Sequence, residues 1–395
     1  MNDGIDVSRA RAETPGVRNV LHFNNAGAGL MPGPVLGAAV SYLEREAEIG
    51  GYETADEREA MLEGAYDSAA RLLNSGRDEI AFVENATRAW DMAFYGLAAG
   101  LKPGDRILTA RSEYASNVIA LLQAARRAGA SVEVIPSDET GQTDATALAA
   151  MLDDRVRLVA ISHVPTNSGL VNPAEAIGRV TRAAGVPYLL DACQSVGQFP
   201  VDVEAIGCDL LSATGRKYLR GPRGTGFLYV RRETMAALEP PFLDLHAATW
   251  TADGAYEVRG DARRFENWET NYAGRAGLAA AIDYALGWGM DEIGRRVFAL
   301  GEMLREGLAG VPGVKVRDIG AVRCGIVTFT RAGFHPDDIQ RALAAQKINV
   351  TTSSRFSTRY DMEARDLDMV VRASVHYYND EREIGRFCDA VAGLA

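Results

Sequence analysis

The sequence predicts an α/β fold, a mainly parallel sheet with helices on both faces, followed by a smaller C-terminal α+β domain. Three observations predict it. From about residue 80, short apolar segments alternate with longer amphipathic segments at the spacing of βαβ units. Polar residues directly follow several of the apolar segments, as they do at the ligand-binding edge of open sheets. The 395 residues are 47% hydrophobic and 24% charged, which is enough for sizeable cores in two domains.

The alternation assigns elements in chain order. The predicted strands of the larger domain are 80–84, 106–110, 132–136, 157–162, 187–191, 209–213 and 226–230. The helices predicted between them are 87–99, 116–128, 144–152 and 173–184. Residues 232–275 show no regular pattern. We therefore expect an N-terminal arm at 1–20, a large domain at 21–275 and a small domain at 276–395.

The small domain has its own alternation. Its predicted helices are 277–288, 291–308, 336–345 and 380–392, and its predicted strands are 314–316, 325–330, 348–352 and 370–375.

Composition excludes several classes of protein. The net charge is -11, from 53 acidic and 42 basic residues, which disfavours a nucleic-acid or anionic-membrane surface. The four cysteines lie far apart, so no Cys-x-x-Cys motif exists, and the five histidines show no metal-ligand spacing. With neither an apolar span nor a signal-like N-terminus, we expect a cytoplasmic protein without a membrane or metal partner.

Residues 212–226 carry the strongest candidate for chemistry, a single lysine in a glycine-rich segment. Lys217 lies beside Arg216, Arg220 and Arg223, and like charges lower the pKa of an ammonium group. A neutral amine is what Schiff-base formation requires, while the arginines and loop amides suit an anion such as phosphate. A solvated basic loop would have the same composition, so this segment alone leaves both interpretations open.

Polar residues after the predicted strands add further candidates. Asp191 ends an apolar strand and could hold the protonated ring nitrogen of a pyridoxal cofactor, a magnesium ion or a ribose. Thr87 is a good N-cap for a helix whose free amides would accept a phosphate. Tyr114 could stack on an aromatic cofactor, and Asn167 could donate to a phenolate oxygen. Taken singly, each also has an ordinary structural explanation.

Arg372 lies in an otherwise apolar segment of the small domain. Burying a guanidinium group is costly unless it is paired, and its two-pronged geometry suits a carboxylate. The sequence therefore predicts that Arg372 binds a substrate carboxylate.

The glycine-rich residues 27–33 raise another possibility, a dinucleotide site in a nicotinamide oxidoreductase. Pro32 and Pro34 stand where its helix should begin, and no clean strand ending in an acid follows about 20 residues later. Both features disfavour this alternative.

In this order, the segments resemble the class V aminotransferase family of fold-type I pyridoxal-phosphate enzymes, from about Asn24 to Asn379. The family includes cysteine desulfurases, isopenicillin N epimerase-like proteins and hercynylcysteine sulfoxide lyase-like proteins. The resemblance implies a seven-stranded type of sheet, pyridoxal 5′-phosphate as cofactor, a small-molecule amino-acid substrate and a homodimer.

The resemblance also implies roles for individual residues. Lys217 matches the catalytic Schiff-base lysine, Asp191 the partner of the pyridine nitrogen and Tyr114 the ring-stacking residue. The positions that match cofactor-binding residues are Thr87, Arg88, Ala89, Tyr114, Asn167, Asp191, Gln194, Thr214, Lys217 and Thr270. The positions that match substrate-binding residues are Asn25, Ala26, Gly27 and Arg372. Thr270 resembles a residue that reaches a neighbouring subunit's phosphate, although Trp268 replaces a glycine expected nearby.

Two departures from the desulfurase pattern stand out. Desulfurases take up sulfur on a mobile-loop cysteine, and the matching residues 353–361 contain none. Arg216 replaces the histidine that precedes the lysine, which looks more like the epimerase and sulfoxide-lyase branch. From these departures we expect that the protein is not a persulfide-forming cysteine desulfurase.

The reaction implied by the resemblance begins when an L-amino acid displaces Lys217 to form an external aldimine, with its carboxylate on Arg372. Lys217 then removes the α-proton as general base. Loss of a β-substituent gives elimination, as in a C–S lyase, whereas reprotonation gives either transamination or epimerisation. We expect transamination or β-elimination. An epimerase is the first alternative, and a non-catalytic pyridoxal-phosphate-binding module is the alternative from another class.

Overall fold

The computed structural model describes residues 4–394. The N-terminal part contains a two-residue strand, β1, followed by a series of helices. These elements are α1 (Val7–Ala12), β1 (Leu21–His22), α2 (Gly33–Ile49), α3 (Gly51–Glu57) and α4 (Glu59–Leu73).

Proline starts helix α2 rather than preventing it. The helix begins at Gly33, with Pro34 in its first turn, where the fixed φ of proline fits and its missing N–H has no partner to lose. The expectation that Pro32 and Pro34 oppose a helix at this position is therefore wrong. This helix does not support a dinucleotide site, because β1 pairs with a strand near the C-terminus and does not begin a βαβ unit.

A seven-stranded sheet forms the centre of the molecule, in the order β2-β8-β7-β6-β5-β3-β4. Its strands are β2 (Ile80–Val83), β3 (Arg106–Ala110), β4 (Ser131–Ile135), β5 (Val156–Ser162), β6 (Tyr188–Asp191), β7 (Leu210–Thr214) and β8 (Gly226–Val230). Strands β3 to β7 are parallel, and β8 runs antiparallel to both of its neighbours. The predicted α/β class and mainly parallel sheet are confirmed.

Helices cover both faces of this sheet. They are α5 (Ala86–Ala98), α6 (Ala115–Ala128), α7 (Ala145–Met151), α8 (Ala174–Ala184), α9 (Val203–Ile206) and α10 (Arg232–Met235). Successive strand residues belong to different buried clusters: Ile107 and Leu189 face one cluster, and Leu108 and Leu190 face the other. Because both faces are buried, the strands are apolar throughout, and this is why the sequence marks them so clearly.

The segment without a sequence pattern contains a hairpin. Its strands are β9 (Ala248–Ala252) and β10 (Ala255–Val258), which pair in antiparallel orientation. Trp250 is 79% exposed and Tyr256 is 58% exposed, so the hairpin lacks the alternation of buried and exposed positions that would identify strands.

Two long helices follow, α11 (Tyr272–Trp288) and α12 (Met290–Ala309). The predicted domain boundary at 275/276 falls inside α11, which packs against α2 and α4. No helix within residues 4–394 has both the length and the apolar character needed to cross a membrane.

A second sheet, of four antiparallel strands, forms the C-terminal part in the order β11-β12-β15-β14. The elements are β11 (Val314–Val316), β12 (Ile326–Arg331), α13 (Pro336–Ala345), β13 (Ile348–Asn349), β14 (Thr351–Ser354), α14 (Arg359–Ala364), β15 (Met369–Ser374) and α15 (Glu381–Ala392). Strand β13 pairs in parallel with β1 and so ties this part to the N-terminal segment.

A buried ion pair stabilises the C-terminal part. Arg305 of α12 donates from Nε to Asp318 at 2.7 Å, and the side chains are 4% and 0% exposed. Arg305 also donates to the carbonyl oxygens of Cys324 and Ile326, while Asp318 accepts from the backbone and hydroxyl of Thr328. Every strong donor and acceptor of the pair is therefore used.

Asp318→Asn should lower the free energy of unfolding by about 1.5–3 kcal/mol, because it removes the buried counter-charge of Arg305 and leaves only the ion pair with the 40% exposed Glu302. Urea denaturation followed by circular dichroism measures this. The matched control is Asp338→Asn, which breaks an exposed ion pair with Arg341 and should cost less than about 1 kcal/mol. Equal losses of unfolding free energy in the two variants would contradict a stabilising role for the buried Arg305–Asp318 pair.

Candidate active site

The main pocket lies where the sheet strands end. Strands β2, β3, β5, β6 and β7 all direct their carboxyl ends to the same edge, since β8 alone is reversed. The cavity at this edge has a volume of about 480 Å³. Its lining residues are Asn85, Ala86, Thr87, Tyr114, Asn117, Ser162, Val164, Thr166, Asp191, Cys193, Gln194, Thr214, Arg216 and Lys217.

One end of the pocket is built to receive an anion. The N-cap of α5 is Asn85, whose side chain accepts from the N–H of Arg88 at 3.0 Å and whose carbonyl accepts from the N–H of Ala89. The cap leaves the N–H groups of Ala86 and Thr87 for a ligand, at the positive end of a 13-residue helix. The prediction that Thr87 is the N-cap is therefore wrong, since the helix begins two residues earlier. Thr87 nevertheless lines the pocket.

The other residues predicted near a phosphate are differently placed. Thr214 lines the pocket and donates to the carbonyl of Thr225 at 3.4 Å. The Arg88 guanidinium lies over the ring of Phe242 at 4.9 Å, and the side chain of Ala89 is fully buried in the core. Neither Arg88 nor Ala89 is among the residues that line the pocket.

Asp191 is held in place from two sides. Its Oδ1 accepts from the N–H of Cys193 at 3.0 Å, and its Oδ2 accepts from Asn117 Nδ2 at 2.9 Å. The carboxylate is 8% exposed and lines the cavity, so its remaining lone pairs face a ligand. Tyr114 also lines the cavity with a 38% exposed side chain, as a ring-stacking residue would.

Lys217 lies in the wall of this cavity. Burial is the main cause that lowers the pKa of its ammonium group. Arg216 and Arg372 lower that pKa further, whereas Cys193 and Asp191 oppose the shift. The predicted direction agrees with this, but burial contributes more than the neighbouring arginines on which the prediction was based.

Arg220 does not face the pocket. Its side chain is 1% exposed, and it donates to the Leu30 carbonyl, the Tyr377 hydroxyl and the Thr14 hydroxyl at 2.7, 2.7 and 2.5 Å. We call this set of contacts the Arg220 clamp. It joins the lysine-bearing loop to the N-terminal segment and to the C-terminal part of the chain.

Two other contacts hold the same loop. The N–H of Gly29 donates to the Arg216 carbonyl at 2.9 Å, and a Cβ at Gly29 would lie 2.7 Å from the Lys217 carbonyl, so only glycine fits. His376 donates through Nε2 to the Tyr218 carbonyl at 2.8 Å, and its Nδ1 accepts from the N–H of Tyr377 at 2.9 Å. Burial lowers the pKa of His376, in agreement with this neutral tautomer. The lysine is therefore presented by a fixed backbone.

Arg372, on β15, is not among the residues that line the pocket, but it contacts Thr166, which is. Its Nη1 donates to the hydroxyl of Thr166 at 2.6 Å and to the carbonyl of the same residue at 3.2 Å, while its Nε has no partner within residues 4–394. Burial lowers the pKa of Arg372 to about 10. A buried guanidinium with an unused donor is suited to an incoming carboxylate.

Several predicted binding residues have other contacts in the structure. Asn167 donates to the hydroxyl of Thr358 at 2.9 Å and to the sulfur of Met362 at 3.1 Å, away from the cavity lining. Gln194 lines the cavity and donates to the Ala26 carbonyl, while its buried Oε1 has no partner among residues 4–394. The predicted cofactor contacts of both residues stay predictions.

The N-terminal residues predicted to line the substrate site form hydrogen bonds with the C-terminal part of the chain and with the lysine loop. Asn25 donates to the carbonyl of Ser374 and accepts from the hydroxyl of Tyr378, while the N–H of Ala26 donates to the Ser374 hydroxyl. The Gly27 carbonyl accepts from Arg216, which lines the cavity. These residues therefore support the pocket from behind, and their contact with a substrate stays a prediction.

Thr270 lies outside this pocket, in a small separate cleft with Glu84, Gly224 and Arg275. Its predicted contact with a neighbouring subunit's phosphate stays a prediction.

Sequence reasoning missed several pocket residues, among them Asn117, Ser162, Thr166 and Cys193. Ser162 ends a predicted strand and Thr166 and Cys193 follow one, which was the available signal, whereas Asn117 lies in the first turn of a predicted helix. Their importance comes from partners far along the chain, such as Asp191 for Asn117 and Arg372 for Thr166, and spacing alone does not give such pairs.

Comparison with known proteins adds independent findings. The family model described as aminotransferase class-V matches residues 21–387. A curated relative from Pyrococcus abyssi, named "Probable cysteine desulfurase", is 30% identical over 389 residues, which cover 97% of this chain and 96% of the relative. The apo structure of a cysteine desulfurase from Thermococcus onnurineus has 27% identity and a TM-score of 0.91, covering 98% of this chain and 97% of its own.

Two solved structures of the enzyme C-DES are also similar. One, a mutant with glycine covalently linked to the PLP cofactor, has 26% identity and a TM-score of 0.87, covering 98% of this chain and 99% of its own. The other is described as the cystine C–S lyase C-DES with its reaction product cysteine persulfide. It has 27% identity and a TM-score of 0.85, covering 96% of this chain and 99% of its own.

These findings correct one expectation. The prediction that the protein is not a persulfide-forming cysteine desulfurase is wrong, because relatives similar over nearly the whole chain are named cysteine desulfurases. The prediction assumed that a persulfide must form on a loop cysteine. The product of C-DES is itself a persulfide of free cysteine, so the absence of cysteine from residues 353–361 excludes nothing.

Arg220→Met should lower the free energy of unfolding by about 2–4 kcal/mol, because it leaves the buried partners of the Arg220 clamp without a charged donor. Urea denaturation measures the loss. Arg223→Met, in the same loop but with an exposed side chain, is the control and should change stability by less than about 0.5 kcal/mol. If the Arg220 clamp did not stabilise the fold, the two variants would have the same free energy of unfolding.

Proposed function

The chain belongs to the aminotransferase class-V family and uses pyridoxal phosphate, and on this premise we propose that it is a C–S lyase. It would cleave the bond between Cβ and sulfur in an L-amino acid of the cysteine type, such as cysteine or cystine. One observation carries the proposal: Lys217 and Asp191 line the same pocket, and burial lowers the pKa of the Lys217 ammonium group.

The residues present fit the cofactor. The free N–H groups at the start of α5 match a phosphate, and the fixed Asp191 carboxylate matches a protonated ring nitrogen. The buried Oε1 of Gln194 has no partner in the described part of the chain, and it marks a polar position in the cavity wall that a ligand can satisfy. When bound, pyridoxal phosphate supplies an aldehyde that condenses with amines and a ring that withdraws electrons from Cα.

The residues of the chain then divide the remaining work. Arg372 would bind the substrate carboxylate through its guanidinium group, which fixes the orientation of Cα. Lys217, as a neutral amine, accepts the proton from Cα at Nζ. The Cβ–S bond breaks with its electron pair on sulfur, and the three-carbon remainder is hydrolysed to pyruvate and ammonia. From cystine, the departing sulfur group is cysteine persulfide.

The names of the relatives favour C–S cleavage over transamination and epimerisation. Cys193 is the cysteine that lines the pocket. Burial raises the pKa of its thiol well above the ordinary value. A protonated thiol is a weak nucleophile, so Cys193 is a poor acceptor for sulfur. We therefore place the transferred sulfur on the released small molecule.

The test is to incubate the purified protein with L-cystine and L-cysteine and to measure pyruvate, ammonia and persulfide sulfur. Lys217→Ala should lower the rate by about 10²–10⁴-fold, because the general base is lost. Lys102→Ala, an exposed lysine, is the control and should leave the rate unchanged. Borohydride reduction followed by peptide mapping should place the cofactor adduct on Lys217.

The outcomes separate the parts of the proposal. Keto-acid exchange or inversion at Cα without pyruvate would reject C–S cleavage but keep the cofactor site. A reduced adduct on another lysine would reject the role of Lys217.

Arg372→Lys should raise KM for the amino acid by about 10–100-fold with a smaller change in kcat, because lysine cannot replace the guanidinium geometry. Steady-state kinetics measure both constants. Arg355→Lys, at an exposed position of the small domain, is the control and should change neither. An unchanged KM in Arg372→Lys would show that the carboxylate binds elsewhere.

A further inference from the structure

Glu113 is a buried acid directly behind the pocket, in the turn between β3 and α6. Its side chain is 1% exposed. One carboxylate oxygen, Oε1, accepts three hydrogen bonds, from the N–H of Tyr114 at 2.7 Å, from Asn117 Nδ2 at 2.8 Å and from the Ser162 hydroxyl at 2.6 Å. The other oxygen, Oε2, is buried and has no partner within residues 4–394.

All three donor residues line the proposed cofactor site, and two of them connect Glu113 to groups that would face the cofactor. Asn117 uses the same amide nitrogen to donate to Asp191 Oδ2 at 2.9 Å, so one group bridges the two carboxylates. Tyr114 is the residue whose ring lines the cavity, and Glu113 fixes its backbone. The Glu113 carboxylate is thus connected to the acid and to the ring that would face the cofactor.

A purely structural role does not require a carboxylate here. The three donors converge on Oε1, and the amide oxygen of a glutamine could accept all of them. Burying a second acid near Asp191 is costly, since both burial and the Asp191 charge raise the pKa of Glu113 to about 7. The feature that distinguishes glutamate from glutamine at this position is its negative charge.

We propose that Glu113 is a positioning residue that acts through Asn117 and Asp191 to favour the protonated ring nitrogen of the bound cofactor. A second negative charge behind Asp191 stabilises a cation in front of it. The inference rests on the pyridoxal-phosphate site and is independent of whether the enzyme cleaves C–S bonds.

The effect should depend on pH. Among the described residues, the titratable groups that interact with Glu113 are Asp191 and Tyr188, both on β6, while its hydrogen-bond partners on α6 and β5 do not titrate. Because Glu113 becomes charged as the pH rises through about 7, its support of the ring cation is absent below that pH and present above it.

The experiment compares two cofactors on the protein stripped of its own cofactor. One is pyridoxal phosphate, and the other is its 1-deaza analogue, in which C–H replaces the ring nitrogen. Dissociation constants are measured at pH 8 by quenching of tryptophan fluorescence. Glu113→Gln should raise the dissociation constant of pyridoxal phosphate about tenfold, the equivalent of one pKa unit at the ring nitrogen. It should change the dissociation constant of the analogue less than about twofold.

The pH dependence gives a second readout. In the unmodified protein, the ratio of the two dissociation constants should change through about pH 7, whereas in Glu113→Gln it should not. Glu175→Gln, an exposed acid on α8, is the control and should behave like the unmodified protein. A circular dichroism spectrum of each variant confirms folding.

Two results would overturn the proposal. If Glu113→Gln weakened the binding of both cofactors equally, Glu113 would have a structural role only. If it weakened the binding of neither, Glu113 would have no role at this site. If Glu113→Gln fails to fold, Asn117→Ala cuts the bridge to Asp191 while keeping the acid, and it should give the same selective loss. Binding without selectivity in Asn117→Ala would equally reject the proposal.

Discussion

The parallel direction of the central strands is the constraint on which the rest of this molecule depends. Parallel strands bring their carboxyl ends to one edge, and the loops that leave them must turn there. Asp191, Ser162, Tyr114 and Thr214 are far apart in the sequence, yet they meet because each follows or ends a strand of the same sheet. The loop that bears Lys217 joins β7 to the reversed strand β8, so this loop also turns at the same edge.

The charges in the pocket are arranged in layers from front to back. Lys217, Arg216 and Arg372 are basic groups whose pKa values are all lowered by burial, which disfavours their charged forms until an anion is bound. Asp191 faces them, and Glu113 stands behind Asp191. An anionic cofactor and a substrate carboxylate are what such a set of basic groups is suited to bind, so ligand charge completes the electrostatics of the fold.

The sequence allowed prediction of the features whose cause is local. The buried strands are apolar throughout, and Lys217 stands alone in a glycine-rich loop, so both were found. Helix α2 was missed because part of its apolar residues are exposed, Leu36 at 50% and Leu43 at 56%, which blurs the pattern of a core-facing helix. The bridge from Glu113 through Asn117 to Asp191 needed the three-dimensional structure, because 74 residues separate Asn117 from Asp191.

The Arg220 clamp has a consequence for the order in which the protein matures. Its partners are Thr14 near the start of the chain and Tyr377 near the end. During synthesis the large sheet is complete long before Tyr377 leaves the ribosome, since chains emerge from the N-terminus onward. The lysine loop therefore gains this support only once Tyr377, 157 residues beyond Arg220, has been synthesised and has docked. The anion-binding start of α5, by contrast, is capped by contacts within residues 85–89 and depends on no distant partner for its cap.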